Sequence, residues 1–483
     1  MSAIETDVVI IGAGLSGIGA ACHLTRNDPD TRYIILESRK SIGGTWDLFR
    51  YPGVRSDSDM HTLGYSFRPW RSENTIGDGS SILRYIHETA VEYGVDQHIW
   101  YGQRVSKAEW SSTKQCWTLT LHYTSGDATF LTCLFINSCT GYYSYDDPYT
   151  PSFGGLEKFK GRFVHPQSWP SDLNYEGKRV VVIGSGATAI TIVPALAAAA
   201  SHVTMLQRSP TYIVSSPTVD PTVELLRRFF SPVVAGIITR WRYILMQMIV
   251  YQLSRRFPSY VKNKLIDWVR LQVGDYCDVK KHFNPKYKPW DQRLCIASDG
   301  DLFNGIRNGD ISVITQQISN LTEDGVRLAS GCELKADIIV SATGLKMLPL
   351  GGMSFFVDDV KINLSQCVVF RGAMLSGLPN MVVSVGYTNA SWTLKVDLIN
   401  RHFCRLKKFM DRKDFRSFCV VNKPPALETE PLLDFSSSYV MRSMDEFPRQ
   451  GKNLPWRLYQ NYIIDIVTLR FSRFRHSALK FYK

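Results

Sequence analysis

The sequence has no C-x-x-C pair, although it has ten cysteines among 483 residues. Closely spaced cysteines are typical of zinc sites and of redox-active disulfides, so their absence argues against a zinc protein and against a disulfide reductase. Scattered cysteines favour the reduced thiols of a cytoplasmic protein. The first apolar run, Val8 to Ile11, is too short for a secretory signal, which agrees with a cytoplasmic location.

Long uncharged runs and nucleic-acid recognition motifs are also missing. The uncharged run over residues 243–254 is too short to span a bilayer, and Arg240 and Arg242 interrupt the apolar run before it. Without a recognition motif, a nucleic-acid partner is not expected. The formal net charge of +12 therefore indicates anionic cofactors, a membrane surface, or only a solvated basic surface.

A strand–turn–helix–strand pattern opens the chain. Val8 to Ile11 is predicted as a buried strand, a glycine-rich turn follows, and Tyr33 to Leu36 is predicted as the next strand. The glycines allow a tight turn and bring backbone N–H groups close to a pyrophosphate at the helix N-terminus. An acid at the end of the second strand can accept hydrogen bonds from ribose hydroxyls. The predicted contacts of this dinucleotide site are Gly12, Gly14, Ser16, Gly17 and Glu37.

A second unit repeats this plan but lacks the acid. Residues 179–183 and 202–206 are predicted strands, and residues 187–200 are a predicted helix. An acid would repel a 2′-phosphate, whereas the arginine at this place can pair with it. The first site therefore suggests FAD and the second NADPH. The predicted contacts of the second site are Gly184, Ser185, Gly186, Ala187, Thr188, Ala189, Arg208 and Ser209.

The pattern predicts an α/β fold with two Rossmann-like dinucleotide-binding domains and a helical insert. Residues 134–141 and 337–344 are predicted strands that end in a threonine–glycine turn, and residues 117–131 a β-meander. Strands of this kind resemble those that return the chain in two-dinucleotide flavoproteins. The predicted domains are 1–145 with 375–483 for FAD, 146–214 with 286–374 for NADP, and 215–285 for the insert.

Two basic, apolar segments admit two interpretations each. Residues 221–280 are a helical cap packed on the core, or an apolar substrate entrance that also touches membrane. Residues 451–483 hold seven Lys or Arg against the single acid Asp465, with apolar residues among them. This composition predicts reversible, salt-sensitive, peripheral membrane association, with a basic terminal helix docked on the FAD domain as the alternative.

Between the two glycine motifs lies the pattern F-x-G-x-x-x-H-x-x-x-W-P, which starts at Phe159 and includes Gly161, His165 and Trp169. It resembles the fingerprint of the Baeyer–Villiger monooxygenases, flavoenzymes that insert one oxygen atom beside a carbonyl. The resemblance covers nearly the whole chain. It is strongest to the subgroup of ethionamide-activating and long-chain alkane monooxygenases. In this resemblance His165 couples domain rotation to cofactor handling; the alternative is a purely structural histidine.

Two further stretches carry the resemblance and its active-site residues. The first is G-x-W-x-x-x-x-Y-P-G-x-x-x-D, over residues 44–57, and the second is residues 290–295. The resemblance implies that Asp57 faces the isoalloxazine and that Arg293 is the active-site arginine. Many family members have a lysine where this chain has Gln292, and that lysine helps to bind NADPH. The change therefore affects the number of protein contacts to the NADPH phosphates. The remaining predicted cofactor contacts are Thr45, Trp46, Arg55 and Ser56 in the first stretch, together with Val105 at the start of the β-meander, where the resemblance implies contact with the flavin adenine.

The predicted function is an FAD- and NADPH-dependent monooxygenase that inserts one oxygen atom from O₂ into hydrophobic ketones, giving esters or lactones. A C4a-peroxyflavin is anionic and its ketone adduct is an alkoxide, so a fixed arginine held by Asp57 would stabilise both. Oxidation of sulfides or thioamides, or of long-chain alkanes, is the alternative. A non-catalytic NADPH sensor would need neither Asp57 nor Arg293. The oligomeric state is left open.

Overall fold

Strands and helices alternate along most of the computed structural model, which describes residues 4–123, 126–421, 427–433 and 437–483. In these residues the strands β1 to β25 are, in chain order, Ile4–Ile11, Tyr33–Glu37, Ile99–Tyr101, Gln103–Ser111, Cys116–Tyr123, Ala128–Ser138, Arg162–Val164, Arg179–Ile183, His202–Gln207, Ile213–Ser216, Cys295–Ser298, Ile311–Thr315, Ile318–Leu321, Gly325–Leu328, Glu333–Lys335, Ile338–Ser341, Ser354–Val357, Val360–Lys361, Val369–Phe370, Met374–Leu375, Met381–Val383, Ser417–Val420, Thr429–Pro431, Arg449–Gly451 and Leu479–Tyr482. The helices α1 to α13 are Leu15–Asn27, Thr45–Leu48, Met60–Leu63, Gly79–Glu92, Ala187–Ala197, Pro221–Phe229, Pro232–Arg256, Pro258–Val273, Val279–His282, Asp301–Asn308, Trp392–Lys413, Ser438–Met441 and Tyr462–Asp465.

The first sheet is built around β1, the strand that leads into the first glycine turn. Its order is β18-β17-β4-β5-β6-β1-β2-β3, with β21 also paired to β6. β1 is parallel to β2 and β6, and β4, β5 and β6 form the predicted antiparallel meander. Val8, Val9 and Ile10 are completely buried, as expected of a strand covered on both faces. Helices α1 and α11 pack together against β1.

The second sheet is parallel throughout and carries the second glycine turn. Its order is β12-β9-β8-β16-β7. Helices α5, α8 and α10 cover it with one apolar cluster that includes Ile190, Val269 and Phe303. Because each glycine turn leads from a parallel strand into a helix, both turns lie at the carboxyl edge of a sheet, where such folds bind nucleotides. The predicted α/β fold with two Rossmann-like units is confirmed.

The return of the chain to the first sheet occurs earlier than the predicted boundary. β17 pairs in parallel with β4, and β18 pairs with β17, so residues 354–361 lie in the first sheet. The sequence-based boundary assigned residues 286–374 to the second domain. The strand signal of Ser354–Val357 is short and says nothing about its partner, since pairing is decided by distant residues. We therefore propose that the first domain resumes near residue 349.

The insert consists of α6 to α9, and α7 is longer than the sequence suggested. α7 runs over 25 residues, and by length and composition it is apolar enough to cross a membrane, with 22% of its most apolar window buried. The sequence-based estimate, which ended the apolar run at Arg240 and Arg242, is therefore wrong about its length. Both arginines lie inside the helix and reach acids or carbonyls of the protein. Pro232 begins the helix, where a missing N–H costs nothing.

Candidate active site

The first glycine turn leaves room for a ligand at the N-terminus of α1. Gly12 has φ +104°, and a Cβ there would lie 2.7 Å from the carbonyl oxygen of Cys139. A Cβ on Gly17 would lie 1.8 Å from the carbonyl oxygen of Gly12. Gly14 precedes the helix without a side-chain cap, so the N–H groups of the first turn point out of the helix unpaired by a side chain. Such a helix N-terminus fits a pyrophosphate.

Glu37 and α11 complete this first site. The Glu37 carboxylate is buried and accepts hydrogen bonds from the backbone N–H of Ala13 at 2.8 Å and of Arg39 at 2.9 Å. The Trp392 indole donates to the Ser16 hydroxyl at 2.7 Å, so the first residue of α11 meets the first turn of α1. Two helix N-termini and a buried acid therefore converge on one cradle, and these residues fit a dinucleotide such as FAD.

The second glycine turn has the same geometry as the first, but different side chains lie at its edge. Gly184 has φ +143°, and a Cβ there would lie 2.2 Å from the carbonyl oxygen of Ala342. The space beside Gly186 is open, and α5 begins without a side-chain cap. The Ser185 hydroxyl donates to the Ser209 carbonyl at 3.0 Å. Arg208 is exposed at this edge, and its guanidinium donates to the Ser438 hydroxyl at 3.5 Å. The residues fit a nucleotide that carries an additional phosphate.

Arg293 and Asp57 form a two-point ion pair although 236 residues separate them in the chain. The Arg293 Nε lies 2.8 Å from Asp57 Oδ2, and Nη2 donates to Asp57 Oδ1 at 3.0 Å. Their side chains are 29% and 35% exposed, so the pair faces an open cleft. Burial alone would lower the pKa of Arg293, but the Asp57 charge and nearby tyrosines raise it above its ordinary value. The guanidinium is therefore permanently charged and oriented at the cleft.

Three tyrosines stand around this ion pair. Tyr142, Tyr143 and Tyr439 all interact electrostatically with Arg293, and the Tyr143 hydroxyl donates to that of Tyr142 at 3.4 Å. Burial, the largest cause, raises the pKa of Tyr143 and Tyr439, so both stay protonated and can donate hydrogen bonds. Sequence reasoning missed all three. The run Gly141-Tyr142-Tyr143-Ser144-Tyr145 after the first threonine–glycine turn is a signal that could have indicated them.

The cleft beside Arg293 has a volume of about 310 Å³ and shares its wall with a larger apolar cavity. The larger cavity, of about 620 Å³, also borders the first glycine site through Thr140 and Gly141. Tyr142, Trp392 and Leu433 line both spaces. An apolar molecule in the larger cavity would therefore lie next to the charged arginine and beside the first nucleotide site.

The fingerprint segment crosses between the two units. Gly161 lies against the second sheet, where a Cβ would lie 2.3 Å from the carbonyl oxygen of Asp337. His165 Nδ1 accepts from the Gln167 backbone N–H at 3.1 Å, and burial lowers the pKa of His165. The Gln167 side chain donates to the Ser144 carbonyl at 3.0 Å, in the segment that leaves the first sheet. The side chains of Phe159 and Trp169 pack against the two apolar clusters of the second unit.

The other predicted contacts have mixed surroundings. The Thr45 hydroxyl lies 3.1 Å from that of Tyr145, beside the first glycine turn. Arg55 pairs with Asp301 at 2.6 Å and so ties the first unit to α10. Ser56 is buried and accepts from the Gly77 backbone N–H at 3.2 Å. The others are packed in the first unit or at the start of α5: Trp46, Val105, Ala187, Thr188 and Ala189.

Comparison with known families agrees with this geometry. Residues 5–385 match the family described as "Flavin-binding monooxygenase-like". The chain belongs to this family. The flavin-binding monooxygenase is 48% identical over 478 residues to "FAD-containing monooxygenase EthA" of Mycobacterium tuberculosis, covering 99% of this chain and 98% of the relative. It is 45% identical over 481 residues to "Probable FAD-binding monooxygenase AlmA" of an Acinetobacter species, covering 99% and 97%.

Solved structures show the same fold at lower identity. "Oxidized steroid monooxygenase bound to NADP" matches with a TM-score of 0.76 and 20% identity, covering 99% of this chain and 100% of that one. "Closed crystal structure of cyclohexanone monooxygenase" matches with a TM-score of 0.70 and 20% identity, covering 88% of both. The predictions of a monooxygenase of the two-dinucleotide flavoprotein type, and of FAD and NADPH as its cofactors, are confirmed.

Proposed function

We propose that this flavin-binding monooxygenase carries out Baeyer–Villiger oxidation: one oxygen atom from O₂ enters a ketone beside its carbonyl, giving an ester or lactone. The observation that carries the proposal is the Arg293–Asp57 pair. It fixes a permanent positive charge at a cleft that shares its wall with an apolar cavity. Negative charge develops on the substrate oxygen in this reaction, and a fixed guanidinium stabilises it.

The first site would hold FAD, which would supply the oxygen-activating chemistry, and the second would hold NADPH, which would supply the reducing equivalents. The chain's own residues do the rest. Gly12, Gly14 and Gly17 would let FAD approach α1, and Glu37 would accept hydrogen bonds from its ribose hydroxyls. Arg208 would pair with the 2′-phosphate of NADPH, which would favour this nucleotide over NADH.

At the reacting centre, Asp57 orients Arg293 through both carboxylate oxygens, so the guanidinium keeps one edge towards the cleft. Tyr142 and Tyr439 remain protonated and line the same space, and the Tyr143 hydroxyl donates to that of Tyr142. The apolar wall excludes water and favours a hydrophobic substrate. The roles of these residues, like those predicted for His165 and Val105, are part of the proposal.

Product analysis tests the proposal. The FAD-loaded enzyme is incubated with NADPH, O₂ and either a linear ketone such as 2-dodecanone or a sulfide such as thioanisole. We expect ester from the ketone, with one labelled oxygen from ¹⁸O₂. Sulfoxide without any ester would overturn the ketone assignment in favour of sulfur oxidation. Hydroxylated alkyl chains would indicate alkane oxidation instead.

A further inference from the structure

The outer side of α7 is an apolar surface of unusual extent. Every fourth residue from 233 to 253 is a large apolar side chain exposed to solvent. These residues are Val233, Ile237, Trp241, Leu245, Ile249 and Leu253. Because residues four apart on a helix are neighbours offset by about 40°, they form a continuous strip that runs the length of the helix and winds partly around it. A soluble surface rarely leaves so long a strip uncovered.

A second segment extends this surface sideways. The ring of Trp241 contacts that of Tyr462 with centroids 5.9 Å apart, which brings the C-terminal segment beside α7. Ile463, Val467 and Phe471 of this segment are also exposed. We call the exposed apolar side chains of α7 and of residues 463–471 the α7 face.

The rim of the α7 face is positively charged. Residues 221–273 contain nine Lys or Arg and only two acids, Glu224 and Asp267. Arg228 and Arg256 are exposed just before and at the end of α7, and Arg470 is exposed beside Phe471. An apolar strip between basic ends has the composition of helices that lie in the interface of an anionic bilayer.

The inner side of α7 is bound to the protein by polar contacts, so the helix cannot leave it to cross a bilayer. Arg240 donates to the carbonyl oxygens of His61 at 2.8 Å and Gly64 at 2.7 Å. Gln247 donates to the buried carboxylate of Asp59 at 2.6 Å. Only the outer side is available, and such a helix enters a bilayer by about 5–10 Å, to the level of the headgroups and first methylenes.

We propose that the α7 face docks this protein on the surface of an anionic phospholipid bilayer. A second copy of the chain would fit less well, because it would place basic rims against each other in a protein that already carries a net charge of +12. Docking deepens the membrane contact predicted from the C-terminal segment by assigning α7 as its main element. It does not depend on which substrate the enzyme oxidises.

The α7 face is connected to the cleft through residues that pack against the inner side of α7. Ile244, on the inner side of α7, packs against Tyr387 and Leu394. Tyr387 in turn lines the cleft together with Arg293. A docked molecule would therefore hold its cleft close to the bilayer, the place where apolar substrates concentrate.

Vesicle flotation with the full-length, FAD-loaded protein tests the proposal. Vesicles of phosphatidylcholine alone are compared with vesicles containing phosphatidylglycerol. The variant Ile237→Glu/Ile249→Glu places two charges in the α7 face, at positions 52% and 58% exposed. Val91→Glu/Val360→Glu makes the same change in charge at positions 53% and 64% exposed on other surfaces. Unchanged FAD absorbance and melting temperature establish that each variant is folded.

We expect the wild type and the Val91/Val360 variant to float with anionic vesicles, and more weakly with neutral ones or at high salt. The Ile237/Ile249 variant should lose binding by about tenfold or more, since charged side chains are costly in the interface. Equal flotation of the two variants, or no flotation of the wild type, would overturn the proposal. So would a wild-type dimer that the Ile237/Ile249 change converts to monomers, because the α7 face would then be a contact between copies.

Discussion

Replacing Arg293 with alanine should separate the two halves of the reaction. The guanidinium contacts Asp57 and lines the cleft, whereas the two glycine turns proposed to hold the nucleotides make no contact with it. Reduction of FAD by NADPH should therefore continue at a rate close to that of the wild type. Oxygen transfer should fall, because the negative charge that develops on the substrate oxygen loses its positive partner.

The size of the effect follows from the geometry. Removal of one preorganised donor from a developing oxyanion typically lowers the rate by about 10²–10³, or roughly 3–4 kcal/mol. Stability should change by no more than about 1 kcal/mol, because the pair is about a third exposed and water can solvate the remaining carboxylate. Loss of ester formation without unfolding is thus the expected pattern.

Stopped-flow absorbance of the flavin under anaerobic conditions measures the first half-reaction, and ester yield under O₂ measures the second. Arg293→Lys keeps the charge but loses the two-point contact with Asp57, so an intermediate yield is expected. Asp57→Ala should lower the yield less completely than Arg293→Ala, because the charge remains but is misaligned. Arg327→Ala, which removes a surface pair with Glu333, is the matched control. Normal ester yield from Arg293→Ala would refute the reasoning; equal loss of both halves would assign Arg293 to nucleotide binding instead.

Three further predictions concern the second nucleotide site, the linker and the response to pH. Arg208→Glu should lower kcat/KM for NADPH by about tenfold or more and leave NADH almost unchanged, because the acid repels the 2′-phosphate; steady-state kinetics with both nucleotides checks this. Gly161→Ala should destabilise the fold by about 1–3 kcal/mol, since its Cβ would meet the Asp337 carbonyl at 2.3 Å, whereas Gly154→Ala, with 3.9 Å to its nearest neighbour, should cost little in a thermal melt. Burial and two nearby arginines lower the pKa of His402 from 6.5 to about 4, so stability that is present above pH 6.5 is lost as the pH falls towards 4. His402→Asn should reduce this loss by about 2 kcal/mol at pH 5, measured by urea unfolding at pH 7.5 and 5.

The parts of the fold that could be predicted are those that local sequence patterns determine. Each glycine turn lies between a buried strand and a helix within one continuous stretch, and the helix begins where the turn requires it. Asp57 and Arg293 were paired although 236 residues separate them, because the resemblance to the Baeyer–Villiger family links the two motifs.

The parts that could not be predicted depend on distant contacts. Tyr439 reaches Arg293 from a short helix far along the chain, and nothing near it in sequence indicates that approach. In the sequence, Arg240 and Arg242 indicated interruptions of an apolar run. A sequence shows which residues are charged, but not which groups those charges contact in the fold. In the fold Arg242 meets Asp220 and Arg240 meets backbone carbonyls, so both charges are satisfied inside a continuous helix.

Helix α7 touches both nucleotide-binding units at fixed points. Arg240 is anchored to carbonyl groups of residues 61 and 64 in the first unit, and Arg255 pairs at 2.9 Å with Asp291, two residues before Arg293. Fifteen residues of helix make a rod of about 22 Å between these anchors. A rod of fixed length allows the two units to pivot about it but not to slide apart along it. A change in the distance between these anchors would have to break one of the two contacts, and the Arg255–Asp291 contact lies two residues from Arg293.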